Sequence, residues 1–271
     1  MPRESIRLCA DRFEIEVMEP LRHEGGAQVF LATRANEELV LKIGVNPQEM
    51  IREVHALIAF ADRGAIPVID YDGTLPALLL PRAVPGYSLS DISNDIHATA
   101  IFCSVFRRLQ PSPVTGPHES IQDHVSAIGR YRRMAAGAGP LPAPWVDRAL
   151  DYLDGLIAST ERPVLLHGDL HHANILRHHD KWVVIDPKGI VGDPHFEVIQ
   201  YLLNHPSRDA AAETVLARRI AMITERLALE GQRIAMWGVV KGILDACWAL
   251  EDGSDWDRGL DTAARFARWK Q

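Results

Sequence analysis

The chain has 271 residues, of which 47% are hydrophobic and 24% charged, with a formal net charge of −7. That composition excludes disorder as the main state, and the acidic balance argues against nucleic acid or an anionic membrane as the main partner. The length exceeds what most single cores need and falls short of two independent domains, so one two-lobed unit is expected. Cys9, Cys103 and Cys247 are scattered and lie outside any CxxC spacing, which indicates neither a disulfide framework nor a zinc site and fits a reducing cytoplasm. The opening residues, MPRESIRLCADRFEIEV, lack the apolar stretch of a leader, and Lys241 and Asp245 interrupt the longest apolar tract, Trp237 to Leu250. No targeting or membrane-spanning segment is expected.

In chain order, Phe13 to Val17, Ala27 to Thr33 and Glu38 to Ile43 have the composition of strands, the last two joined by the polar turn Arg34 to Glu37. Between the first two, Gly25 and Gly26 would let backbone amides approach a phosphate, although a plain hairpin turn has the same composition. Lys42 stands in the apolar strand between Leu41 and Ile43, where an isolated lysine is normally the solvent-facing member. Asn46-Pro47-Gln48-Glu49 then supplies an N-cap, a proline at the first helical position and a glutamate three after the cap, which predicts a helix over 47–61. Met50, Val54, Leu57, Ile58 and Ala61 make its apolar face, and Glu53 lies beside that face. Glu49 is accounted for by capping, so Glu53 is the candidate partner of Lys42, or else an ordinary i,i+4 partner of surface charges. Ile66 to Tyr71 and Ala77 to Leu80 complete a five-stranded sheet, and Pro81-Arg82-Ala83-Val84-Pro85-Gly86 makes a stiff connector.

The remainder reads as mainly helical. Ser93 or Asn94 caps a helix to Leu109; Ile121, Val125 and Ile128 mark another; a third runs from Trp145 to Ser159. The breaker segments Gln110 to His118 and Ala135 to Pro144 are rims of a substrate pocket or plain connectors. Later helices are expected over 196–204, 214–229, 232–250 and 262–269. Amid them lies the stretch on which function turns, Val164 to Asp193. Val164 to Leu166, Ile175 to Leu176 and Trp182 to Ile185 are strands, and His178 to Lys181 is turn-like. If those four residues are the loop, paired residue numbers sum to about 359, which sets Asn174 opposite Ile185 and next to Asp186. Asp169 precedes Asn174 in the loop, so an acidic group stands beside an Asn/Asp pair whose hard oxygens suit Mg²⁺. This is the logic of phosphoryl transfer in kinases, where one Asp orients the acceptor hydroxyl while Asn and a second Asp hold metal on the nucleotide phosphates.

HGDLHHANIL followed by VIDPKGIVGD resembles the aminoglycoside phosphotransferase superfamily of small-molecule kinases, in its streptomycin 6-phosphotransferase and hydroxyurea phosphotransferase branch, and Ala246 to Gly253 is similar to the same branch. The resemblance implies an α+β, bilobal protein-kinase-like fold, with residues 1–83 as the nucleotide-binding lobe and 84–271 as the catalytic and acceptor-binding lobe. It implies ATP and Mg²⁺ in the cleft, Asp169 as base or orienter, and Asn174 and Asp186 as metal ligands. It further implies Lys42 as phosphate contact steadied by Glu53, Gly25 and Gly26 near the phosphates, and the main chain at Arg82 and Ala83 against adenine. The acceptor would be a hydroxyl of an aminoglycoside such as streptomycin, or of hydroxyurea or another small metabolite. Asp186 is followed by Pro187 and Lys188 where protein kinases have Phe-Gly, so a small-molecule acceptor is preferred to a protein.

Asp245, Glu251, Asp252, Asp255, Asp257 and Asp261 stand against one base, Arg258. Such a segment is a solvated acidic helix end or a field for a cationic acceptor, with Glu251 and Asp252, aided by Asp193 and Glu197, as the candidate carboxylates. Two other classes fit parts of the pattern. A metallohydrolase would use His167, Asp169, His171 and His172 as ligands but leaves Asn174, Asp186, Lys42 and Glu53 without a task. A nucleotide-binding scaffold without transfer would not need Lys42, Asp169, Asn174 and Asp186 all chemically competent. His167 is expected to brace the loop, and His172, His178 and His179 to be hydrated.

Overall fold

The computed structural model describes residues 3–21, 27–112, 114–135, 139–204 and 210–269. It opens on a helix that polar composition conceals: α1 (Arg3–Phe13) buries Cys9 and Phe13 where the sequence suggested a strand from Phe13. Then come β1 (Glu16–Pro20), β2 (Gln28–Arg34), β3 (Glu37–Ile43), α2 (Pro47–Phe60), β4 (Asp70–Asp72) and β5 (Ala77–Pro81). The strands form one antiparallel sheet in the order β1-β2-β3-β5-β4.

Alternation along the strands decides what each face holds. Leu39, Leu41 and Ile43 of β3 and Ala77 and Leu79 of β5 pack with Phe13 of α1. Val40 of β3 and Leu78 and Leu80 of β5 pack on the opposite face with Met50, Val54 and Leu57 of α2. By parity Lys42 belongs to that second face. A lysine that an open sheet would turn to water is therefore turned beneath a helix. Asn46 caps α2 by accepting from the amides of Gln48 and Glu49, and Pro47 follows, as the sequence predicts.

After the connector the chain builds β6 (Pro85–Ser88), α3 (Asp95–Leu109), β7 (Glu119–Ser120), α4 (Ile121–His124), α5 (Ala127–Ala135) and α6 (Ala143–Ala158). The helix expected through Ile121, Val125 and Ile128 is thus broken in two at Val125. There follow β8 (Val164–Leu166), β9 (Ile175–His178), β10 (Lys181–Val184), β11 (Ile190–Gly192), α7 (Pro194–Glu197), α8 (Ile199–Leu203), α9 (Ala210–Leu227), α10 (Gly231–Glu251) and α11 (Asp257–Arg268). α10 is the axis of this helical half: Trp237, Ile243 and Leu244 are fully buried, and α6, α7 and α11 lie against it.

The sheet half and the helical half share a core, because Leu57 and Phe60 of α2 belong to one continuous apolar cluster with Phe102 and Phe106 of α3. Main-chain bonds reinforce it. The Ile66 amide donates to the Val184 carbonyl at 3.0 Å and the Val184 amide to the Gly64 carbonyl at 2.9 Å. The architecture is α+β, as expected. Among the described residues no helix is long and apolar enough to cross a membrane.

Candidate active site

The site is built on the β9–β10 hairpin. Lys181 pairs with His178 and Val184 with Ile175, which is the predicted register, with the turn tightened to His179 and Asp180. The ladder extends one step further, the Ile185 amide donating to the Asn174 carbonyl at 3.1 Å. Asn174 therefore enters the hairpin where Asp186 leaves it. Asp186 adopts φ 59°, a left-handed conformation that costs a residue with a side chain about 1–3 kcal/mol and persists only where its surroundings impose it.

His167 does the imposing, and braces the loop as the sequence suggested. Its Nε2 donates to the Ile185 carbonyl at 2.9 Å, and its own carbonyl accepts from the Lys188 amide at 2.6 Å, so one residue grips the chain on both sides of Asp186. Its Nδ1 accepts from the Asp169 amide at 3.3 Å. Burial pushes the imidazole down to about 4, so the ring is neutral, as a proton acceptor at Nδ1 requires.

Lys42 of β3 and Glu53 of α2, from the sheet half, meet Asp186 of the helical half. Lys42 Nζ lies 2.8 and 2.7 Å from the two Glu53 oxygens and also donates to Asp186 Oδ1. Burial opposes the charge on Lys42, but the two carboxylates outweigh it and its pKa rises. For Asp186 burial is likewise outweighed by Lys42 and Lys188, which hold it below the usual carboxylate range. Lys188 Nζ stands 4.0 Å from Asp186 Oδ1.

Asp169 accepts from Gln200 Nε2 at 2.8 Å on Oδ1, while Oδ2 lies 3.4 Å from Asn174 Nδ2 and 3.7 Å from His171 Nε2. The Asn174 amide nitrogen makes its shorter bond, 2.9 Å, to the Asp169 carbonyl. Its oxygen is consequently the atom Asn174 has to offer a cation. Asn174 and Asp186 together supply the hard, mixed amide and carboxylate oxygens that suit Mg²⁺, which takes few protein ligands and completes its shell with phosphate and water.

The other candidates fall differently. Gly25 and Gly26 lie outside the described residues. The Arg82 amide is committed to the Glu38 carbonyl at 3.1 Å, so of its main chain only the carbonyl remains for a ligand, while Ala83 sits half-buried at the connector. Asp193 and Glu197, expected to face the acceptor, are instead 2% exposed. Asp193 is gripped by Arg233, Trp237 and His195; burial opposes its charge, but the bonds from His195 and Trp237 outweigh it and hold the carboxyl at about 2. Glu197 accepts from the His167 amide at 2.5 Å and the Gly168 amide at 3.0 Å, and burial pushes it up to about 7. Glu251 takes Arg130 at 2.9 Å, and Asp252 is exposed at the end of α10.

Sequence reasoning also missed two partners. His172, expected in water, is buried and stacks on Tyr201 with centroids 4.3 Å apart, because the tight turn His172–Asn174 rotates it inward. Gln200 was not singled out. Its signal was available, an amide in the otherwise apolar run Ile199–Leu203 with a second amide, Asn204, four residues on.

A family model described as aminoglycoside/hydroxyurea antibiotic resistance kinase matches residues 17–253. The hydroxyurea phosphotransferase of Kitasatospora aureofaciens is 30% identical over 90% of this chain and 72% of its own length. The streptomycin 6-kinase of Streptomyces griseus is 26% identical, covering 92% of this chain and 83% of its own. Among solved structures, a thermostable variant of the aminoglycoside phosphotransferase APH(4)-Ia, in a ternary complex with AMP-PNP and hygromycin B, superposes with a TM-score of 0.73 at 17% identity over 98% of this chain and 97% of that one. Choline kinase LicA from Streptococcus pneumoniae gives 0.70 at 14% identity over 98% of each chain. The fold is the one these kinases share.

Proposed function

This chain belongs to the aminoglycoside/hydroxyurea antibiotic resistance kinase family and is a small-molecule phosphotransferase, and from that premise we propose that it moves the γ-phosphoryl group of ATP, with Mg²⁺, onto a hydroxyl of an aminoglycoside of the streptomycin type in a reducing cytoplasm. The observation that carries this reading is the meeting of Lys42 and Glu53 with Asp186, on a hairpin that also presents Asn174 beside Asp169. Lys42 would hold the α/β phosphates and Glu53 would keep its ammonium in place, while Arg82 and Ala83 would offer main chain to adenine. Asn174 and Asp186 would hold Mg²⁺, which when bound neutralises charge on the phosphates. Asp169 would orient the acceptor hydroxyl and take its proton as the new P–O bond forms and the bond to the departing ADP breaks. A zinc hydrolase is disfavoured by His167, both of whose ring nitrogens are occupied by main chain.

One observation favours a second acceptor class. Asp193, Glu197 and Glu251, three of the four carboxylates that could have drawn a cationic acceptor, are engaged by protein groups, which supports a small uncharged acceptor such as hydroxyurea. A coupled ADP-release assay across streptomycin, other aminoglycosides, hydroxyurea, simple sugars and amino alcohols separates the two. In the same assay Asp169→Asn should lower transfer by about 10³ while leaving nucleotide binding intact, within the range that positioned acid–base groups contribute. A variant within tenfold of wild type removes Asp169 from its role.

A further inference from the structure

The carboxylate of Asp169 has one short side-chain contact and two long ones. Gln200 Nε2 donates to Oδ1 at 2.8 Å, whereas Asn174 Nδ2 stands 3.4 Å and His171 Nε2 3.7 Å from Oδ2. Both lie beyond the usual range of about 2.7–3.2 Å for an N–H···O bond, so Gln200 is the side chain that holds the carboxylate closely. The terminal torsion of an aspartate is a broad, roughly two-fold rotor, so Oδ1 and Oδ2 interchange unless something holds one of them. Gln200 is anchored to do so. It rides on α8 between the buried Ile199 and the buried Tyr201 and Leu202, one turn before Asn204.

Asn204 performs the companion task. Its Nδ2 lies 3.3 Å from His171 Nδ1, which also accepts from the Ala173 amide at 3.3 Å. With Nδ1 accepting, the neutral ring carries its hydrogen on Nε2, the nitrogen turned to Asp169 Oδ2. One face of α8 thus holds both side chains that flank the position where an acceptor hydroxyl would meet Asp169.

Building on the kinase reading, we propose that Gln200 is a positioning residue for the transfer: its amide pins Oδ1 of Asp169 so that Oδ2 is the oxygen presented to the acceptor. A neutral donor suits this task. It fixes geometry without the full charge of a Lys or Arg, which would compete for the carboxylate. During transfer the acceptor oxygen bonds to phosphorus, the bond from phosphorus to the ADP oxygen breaks, and the acceptor proton passes to Oδ2 while Oδ1 stays with Gln200.

The test is steady-state ADP release with MgATP and whichever of streptomycin, hydroxyurea, glucose or ethanolamine the wild type turns over fastest. Gln200→Leu, close in volume but without a donor, should lower kcat by about 10- to 100-fold, the scale on which loss of precise placement acts, with KM for ATP unchanged. Gln200→His, whose Nε2–H reaches about as far as the glutamine amide, should recover to within tenfold of wild type. In an Asp169→Asn background Gln200→Leu should cost less than twofold, because it acts through the missing carboxylate. Should Gln200→Leu fail to fold, Gln200→Glu, equal in size, should lose at least as much turnover by setting one carboxylate against another. A kcat within threefold of wild type in the donor-less variant, or equal losses in the wild-type and Asp169→Asn backgrounds, overturns the inference alone. A wild type that releases ADP with none of the four acceptors overturns the kinase reading and the inference with it.

Discussion

Glu197 is a carboxylic acid sealed in the core, with one oxygen on the amide of His167 and the other on that of Gly168. Burial raises it from 4.5 to about 7, while burial lowers His167 from 6.5 to about 4. The two shifts act on stability with opposite sign. Between about pH 4.5 and 7 the native state holds a proton on Glu197 that the unfolded chain has released, so that stability is present below the window and lost as pH rises through it. Between about pH 6.5 and 4 the unfolded chain protonates His167 and the native state does not, so stability is lost as pH falls. Each shift is worth about 3 kcal/mol at 1.36 kcal/mol per pH unit, and the slopes largely cancel in their overlap. Glu197→Gln removes one of them. The difference in unfolding free energy between wild type and variant, from urea titrations at pH 4.5 and pH 7, should change by about 3 kcal/mol, with the wild type favoured at the lower pH. A constant difference would mean that Glu197 is ionised in the fold. Little of this was legible locally, because the partners of Glu197 lie about thirty residues back and two of the three of Asp193, Arg233 and Trp237, about forty ahead. Sequence marks a carboxylate as acidic, and only the tertiary structure says whether that acid faces a ligand or a backbone amide.

Elements were legible where a short-range rule governs them. The β9–β10 register follows from two strands and a turn, and the α2 start follows from its cap, so Asn174 met Ile185 and Pro47 opened the helix as predicted. α1 was missed because its polar surface hides the two side chains, Cys9 and Phe13, that dock it on the sheet, and the break between α4 and α5 carries no Pro or Gly to announce it. Packing between elements was least legible of all. α10 and α11 cross backbone to backbone: a Cβ on Gly259 would come within 2.4 Å of the Gly242 carbonyl and 2.6 Å of the Ala246 amide. A Cβ on Gly155, exposed on α6, would meet nothing within 4 Å. Both substitutions gain about 1 kcal/mol of helix propensity. Gly155→Ala should keep that gain, whereas Gly259→Ala must push two helices apart and should be destabilised by about 1–3 kcal/mol net. Urea midpoints of the two variants should therefore move in opposite directions. Glu251 belongs to this scale too, since its half-exposed pair with Arg130 ties α10 to α5.

The cation at the centre of the molecule joins its two halves. Lys42 and Glu53 come from the sheet half and Asp186 from the helical half, and behind them runs a single apolar cluster from α2 into α3. With that core continuous, the chain should unfold in one transition. A ligand bound only by the native state adds RT ln(1 + [L]/Kd), about 2.7 kcal/mol at one hundred times Kd. At about 2–4 °C per kcal/mol for a chain of this size, ATP with Mg²⁺ should raise Tm by about 5–10 °C, and a zinc chelator should leave it unchanged. Asp169→Asn should keep the rise. Lys42→Ala should lose most of it, and should also start from a lower Tm, because Glu53, 7% exposed, would be left as a buried carboxylate without its cation. The measurement is a calorimetric scan of the three proteins with and without nucleotide. Two separate transitions, of which nucleotide moves only the first, would show that the halves melt independently; a Lys42→Ala variant that keeps the full rise would take the lysine out of nucleotide binding.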